Sequence, residues 1–265
     1  MSERVSETVN HQAGVAGDEA TIRRIEIADL QTVLAKGVED FRAIPTHAFF
    51  VGVIYAVLGL VIIRWSFQYS LLPLVFPLIG GFALLGPFAA LGLYELSRRR
   101  EAGEEARFWH MFEVRKAPNR GAILRLGFGV AMLFLVWLWT AVALFRATFG
   151  DLDIAAGVFL AELFTTTHGW TLIILGNLIG AVFAFAILAG VAVAFPMLVD
   201  RKVDVSTAVA TSLRVFAKNP VPMIAWGIIV GAGLFIGAIP FLLGYLVVLP
   251  ILGHATWHLY RRVVG

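Results

Sequence analysis

The sequence contains no cysteine, which excludes disulfides, thiolate metal sites and cysteine nucleophiles. It is also poor in charge: 15% of its 265 residues are charged and 59% are hydrophobic, where a soluble domain has about a quarter charged and about half apolar. The long apolar runs carry no charge near their middles, which speaks against an ion-coupled pump or a proton relay. No phosphate-binding glycine loop, nucleophile elbow or clustered carboxylate pair occurs. Neither an enzyme nor a cofactor is therefore expected. The net charge of +3 is no nucleic-acid signal, because the basic residues serve topology. Met1 to Ala20 lacks the pattern of a signal peptide, so the first span is expected to act as an uncleaved insertion signal.

What is present is Phe, Gly and long apolar stretches, with 21 Phe, 26 Gly and a mean hydropathy of +0.84. Gly is expected where membrane helices approach closely. The fold class is all-α: a polytopic transmembrane bundle of about six spans, at 45–63, 71–96, 121–145, 170–199, 221–238 and 241–260. The fourth is too long for a ~30 Å hydrocarbon core and is expected to kink at Pro196. Residues 1–22 read as a flexible tail and 23–265 as one membrane domain. Residues 29–42 form a short surface helix with Leu30, Val33, Leu34, Val38 and Phe41 on one face and Asp29 as its cap. A second surface helix is expected at 153–164, on the opposite side.

Orientation follows from Lys and Arg. Of the 21 such residues, only Arg64 and Arg146 fall on that opposite side. The expectation is a multi-pass membrane protein with both termini cytoplasmic.

The surface helix and its proline recur. Asp29, Thr32, Phe41 and Pro45 match Asp204, Thr207, Phe216 and Pro220 at one constant offset. A weaker copy starts near Glu104, with Phe108, Met111 and Phe112, then Pro118. This gives three parallel units, about 29–100, 104–199 and 200–265, each a surface helix, a proline and a transmembrane hairpin. The plainer reading is that caps and prolines recur wherever helices enter membranes. Phe41 and Phe216 are expected to bury against the cytoplasmic ends of the bundle, anchoring each surface helix at the entry to its span, and Asp29 and Asp204 to cap their helices.

Few residues offer chemistry. His254 and His258 share a helix face, as a metal or haem site requires, and His47 lies near the same membrane end. No Glu joins them, and with Trp257 and Tyr260 they look more like an interfacial aromatic belt. Asn177 is the most central polar side chain. It lies between Gly176 and Gly180, a surface suited to helix packing with a cross-helix hydrogen bond or to a substrate contact. Asp200 and Arg201 end the fourth span, either as a solvated pair or with Asp200 bound to a basic residue of another unit.

The strings Leu71 to Pro77 and Gly81 to Arg99, the segment Phe195 to Pro220, and Leu252 to Arg262 resemble a bacterial family of predicted integral membrane proteins known only as a domain of unknown function. The resemblance implies a cytoplasmic-membrane location and a multi-span fold, and no activity. Some relatives are labelled as a cytochrome oxidase subunit, but this sequence lacks the several intramembrane His ligands of a haem–copper subunit. The leading functional expectation is a non-catalytic accessory, assembly or scaffold component of a larger membrane complex, such as a respiratory one. Its partners would be the lipid bilayer and other membrane proteins. The alternative is a transporter or channel for a small or lipid-like solute.

Overall fold

The computed structural model describes residues 20–68, 74–117, 119–150, 154–240 and 242–265, with side chains at all of these except 45–51, 65–68, 82–83 and 156. The helices are α1 (Ile27–Ala43), α2 (Pro45–Gln68), α3 (Val75–Leu84), α4 (Gly86–Ala89), α5 (Leu91–Glu101), α6 (Arg120–Phe149), α7 (Ala156–Thr165), α8 (Thr167–Gly190), α9 (Ala194–Asp200), α10 (Val205–Lys218), α11 (Pro220–Ala238) and α12 (Tyr245–Val263). A 3-10 segment, Phe108–Lys116, links α5 to α6. Among the described residues the one β-bridge joins Ile22 to Val264. The chain is an all-α bundle.

Among the described residues three stretches are long and apolar enough to cross a membrane: Arg120–Phe149, Thr167–Asp200 and Pro220–Ala238. A shorter apolar helix covers Gly52–Arg64. Large apolar side chains stand outward on all three long stretches, among them Phe128, Trp139, Val182, Ile228 and Phe235. A face of that kind suits hydrocarbon, because every backbone polar group is already bonded within its helix.

The stretch expected as the second span is broken. Turns at Leu85 and Ala90 divide it into α3, α4 and α5. Pro87 lacks an amide hydrogen, and its ring opposes the carbonyl four residues earlier. Beyond the break, Leu91 to Ser97 are buried within the protein. The fourth stretch also breaks, one turn before Pro196, at Val191–Val193. Pro196 cannot bond to the Ala192 carbonyl, and the helix opens there. Ser212 of α10 fills the gap. Its hydroxyl donates to the Ala189 carbonyl (2.8 Å) and accepts from the Val193 amide (3.4 Å), replacing one rung of the ladder with a side chain.

The core lies at the basic end of the bundle. It is built from α5, α9 and the C-terminal half of α12, where Leu93, Leu96, Phe195, Met197, Trp257 and Tyr260 are almost fully enclosed. Around them α1 packs on α12, the 3-10 segment on α5, and α10 on α8 and α9. The middle surface element is thus a 3-10 segment and not an amphipathic α-helix. It has only nine residues, and a costly nucleus makes so short an α-helix marginal. It rides on α5 at Gly92, where a Cβ would stand 2.9 Å from Met111. Pro118 lies outside the described residues. The expected opposite-side helix appears as α7, where Phe159 packs edge-on to Phe145 and Phe149; residues 151–153 are outside the described set.

The two outer surface helices turn into their spans identically. One residue joins α1 to α2, Ile44 at φ −132°, ψ 58°, and one joins α10 to α11, Asn219 at φ −131°, ψ 52°. Pro45 and Pro220 then open the next helices. The N-termini differ. Asp204 caps α10 by accepting from the Thr207 amide at 2.7 Å. Asp29 does not cap α1: Glu26 is the cap residue, and Asp29, at the third helical position, accepts from the Glu26 amide at 2.9 Å. The early start has a cause. Ile25 is pinned by its amide to Asn219 Oδ1 (2.9 Å), which sets the chain direction just before Glu26.

Two further expectations are corrected. The tail was expected to run free to residue 22, but Ile22 pairs with Val264, and the Gly265 amide donates to the Thr21 carbonyl at 2.8 Å; residues 1–19 are outside the described set. Phe41 and Phe216 are half-buried, not enclosed. The buried side of α1 runs through Leu30, Val33, Gly37 and Asp40, and that of α10 through Ala208, Thr211, Ser212 and Val215. Each Phe is one residue, about 100°, past that line. Phe216 meets the Phe185 ring edge-on at 5.0 Å.

Candidate functional site

The site grows from two close helix contacts. Gly37 lets α1 lie on α12: a Cβ there would sit 2.7 Å from Ala255 Cβ and 2.8 Å from the Ile251 carbonyl. Gly253 does the same for α5, where a Cβ would stand 2.4 Å from Leu93 Cδ1. Asp40, one turn beyond Gly37, and Ser97, one turn beyond Leu93, are thereby delivered to the His254 and His258 face of α12.

Asp40 is the hub. Ser97 Oγ donates to its Oδ2 at 2.6 Å, and His258 Nε2 lies 2.9 Å from the same oxygen. Arg100 Nη1 is 3.3 Å from Oδ1 and also donates to the Glu39 carbonyl at 3.2 Å. His254 Nδ1 is 2.8 Å from Ser97 Oγ. Because the single Ser97 hydrogen goes to Asp40, His254 must carry its proton on Nδ1 and donate to Ser97. Asp40 is 5% exposed, and Ser97 and His254 are fully enclosed. α1 lies outside the spanning helices. Burial pushes the Asp40 carboxyl up, yet the hydrogen bonds from His258 and Ser97 and the charge of the two imidazoles outweigh it, holding the group below the ordinary carboxylate range.

A second polar tier adjoins the first along α12. The Tyr260 hydroxyl donates to Asp200 Oδ2 at 2.5 Å, and Arg261 Nη1 reaches that oxygen at 3.2 Å. Arg201 Nε donates to Tyr260 at 3.2 Å, and its Nη2 to the Gly265 carbonyl at 2.8 Å. Trp257 Nε1 and Arg261 Nε both donate to Glu101, at 3.0 and 3.1 Å. Asp200 is thus bound to a base on another helix, and the end of α9 is tied to the C-terminus.

The structure therefore sets His258 directly on the Asp40 carboxylate and links His254 to it through Ser97. It removes them, with Trp257 and Tyr260, from any interfacial belt, because α1, α5 and α9 cover that half of α12. The His47 side chain lies outside the described residues. Among the described residues no three of His, Asp and Glu converge as a metal site. The serine stands between the acid and the imidazole, whereas a nucleophilic triad has the imidazole between acid and serine. Among the described residues Asn177 makes no cross-helix bond. It is exposed on α8, and its amide donates to the Ile173 carbonyl of its own helix at 2.8 Å. Gly180 beside it faces Trp137 of α6.

Sequence reasoning missed Asp40, Ser97, Arg100 and Asn219. One signal was available: Asp40 is the single carboxylate on the stripe Leu30, Val33, Gly37, and a lone acid on a buried face demands partners. Ser97 carried no such mark.

No curated protein and no solved structure matches the chain. Residues 75–200, from α3 to the end of α9, match the model of a family described as "Predicted integral membrane protein (DUF2189)", a description that the three long apolar stretches of the chain fit.

Proposed function

We propose that this chain is a non-catalytic accessory or scaffold component of a larger assembly in the bacterial inner membrane. One observation carries the reading: the polar chemistry is closed on itself at the basic end, while the spanning helices leave most of their surface bare. The most apolar window of α6 is 17% buried, and that of α11 is 22% buried. Helices that bury so little within their own chain have surface to offer to lipid or to other membrane proteins.

The proposal includes six crossings, with both termini cytoplasmic, and the three units. Each unit's surface element rests on the last helix of the preceding unit: α1 on α12, the 3-10 segment on α5, α10 on α9. The shared Ile44 and Asn219 geometry supports the outer pair. The chain lacks cysteine, so single cysteines report topology cleanly. Thr148→Cys is expected to label from the periplasm and Ala102→Cys from the cytoplasm; the reverse pattern overturns the orientation.

One observation favours the second reading, passage of a lipid-like solute. An apolar cleft between α2, α3, α11 and α12 is lined by Tyr55, Gly59, Ile79, Leu234, Leu242 and Tyr245. Purification in mild detergent with mass spectrometry decides between them. Co-purifying membrane proteins support the scaffold. Recovery of the chain alone, with solute flux in reconstituted vesicles, replaces it with the transporter.

A further inference from the structure

We infer that α8 carries a self-association seam centred on Asn177, by which two copies of this chain pair in the membrane. The inference rests on the membrane reading above and names one partner for the scaffold: a second copy.

Asn177 lies at the middle of α8, a helix of 24 residues, within a stretch that is apolar and long enough to cross a bilayer. Its NH2 is used by the Ile173 carbonyl at 2.8 Å, and no bond to Oδ1 is formed within the described residues. The side chain faces outward. In hydrocarbon an amide oxygen without a donor is costly, and polar groups at that depth face protein or water. Something outside this fold must meet it.

The surroundings of Asn177 say what fits. Trp170, Ile174, Asn177, Ala181 and Ala184 are all exposed. They are spaced four, three, four and three residues apart, the repeat of a helix pair wound left-handedly. In such seams one buried Asn fixes register and oligomeric state. Ala181 and Ala184, on the turns after Asn177, permit close backbone approach. The Gly176–Gly180 side, by contrast, is directed at α6, against Leu144 and Trp137.

A second copy is the occupant because of depth and self-complementarity. All copies insert in one orientation, so two α8 helices pair in parallel and their Asn177 residues meet at the same depth. An amide both donates and accepts. Around a twofold axis along the membrane normal, each Asn177 gives a hydrogen to the other's Oδ1, as an isologous interface requires. A different partner would need its own polar group placed at that level.

Cysteine crosslinking in isolated membranes tests this on the full chain. Ala181→Cys lies in the seam. Val182→Cys is equally exposed but about 100° away around the helix. With copper phenanthroline as oxidant, Ala181→Cys is expected to give a disulfide-linked dimer and Val182→Cys little. Adding Asn177→Leu to Ala181→Cys is expected to reduce dimer about tenfold, the effect of losing two modest interhelical hydrogen bonds. Because Asn177 is exposed and, among the described residues, hydrogen-bonds only within α8, the monomer should melt unchanged. No dimer at Ala181→Cys, equal dimer at both positions, or dimer insensitive to Asn177→Leu each overturns the inference. Co-purification of other membrane proteins without this dimer sinks the seam and leaves the scaffold. The dimer without other partners does the reverse.

Discussion

His258 Nε2 and Asp40 Oδ2 stand 2.9 Å apart across 218 residues of sequence. This contact, with Ser97 beside it, holds the first described helix of the chain against the last. Removing the carboxylate leaves Ser97, His258 and Arg100 facing an empty pocket. Asp40→Ala is expected to lower stability by about 3–5 kcal/mol, the cost of breaking a buried charged pair. Thermal unfolding in detergent measures it. A double-mutant cycle with His258→Ala should give a coupling of at least about 0.5 kcal/mol; an additive pair would mean that the bond contributes nothing.

The same residue sets a pH dependence. The folded Asp40 carboxyl is held below its ordinary value, so its contribution is present above the unfolded-state pKa of about 4 and is lost as pH falls through the lower folded value. Asp29, bonded to the Glu26 amide and to Arg262, is displaced in the same direction. Melting temperature should therefore fall below about pH 4. In Asp40→Asn that acid limb should be shallower, because Asn does not titrate; an identical limb would show that other carboxylates account for it.

Ser212 is a single hydroxyl bridging Ala189 and Val193 across the break between α8 and α9. Ser212→Ala leaves a buried carbonyl and a buried amide unsatisfied, at about 1–3 kcal/mol. The exposed Ser206, whose hydroxyl donates to Asp204, should cost far less when replaced by Ala. Parallel melts of the two variants check the contrast.

Asn219 is 3% exposed and clasps the described N-terminal segment, accepting from the Ile25 amide and donating to the Arg23 carbonyl at 3.0 Å. Asn219→Ala is expected to free residues 20–25 while the bundle stays folded. Trypsin should then cut at Arg23 and Arg24 several-fold faster, since local opening controls cleavage. Unchanged cutting would mean that the remaining ties, from Arg23 to Val263, Gly265 to Thr21 and Lys218 to Ile22, hold the segment without Asn219.

Phe41→Ala and Phe216→Ala should each lose less than the 3–5 kcal/mol of an enclosed ring, because both rings are half-buried. Phe216 should lose more through its contact with Phe185, worth about 0.5–1.5 kcal/mol beyond area. A full-sized loss at both sites would restore the enclosed anchor.

The sequence by itself determined the all-α class, the entry of two helices at Pro45 and Pro220, and the break near Pro196, but not the break near Pro87 or the 3-10 form of the middle surface element. Apolar runs with no central charge demand a bilayer or a buried core, and Pro45, Pro196 and Pro220 act through a missing amide, a local cause that any context preserves. Composition also located the basic end. Tertiary structure alone decided the rest. Whether α5 and the C-terminal half of α12 lie in protein depends on what covers them, which no periodicity states. Asp40 and His258 are partners only because Gly37 lets α1 approach α12 closely enough for hydrogen bonding. Asn177 has the same helical context whichever way α8 turns, and only packing set Gly180 against α6 and left the amide outside. A side chain's type is local, but its partner is a distance between helices, and that distance is fixed by the whole bundle.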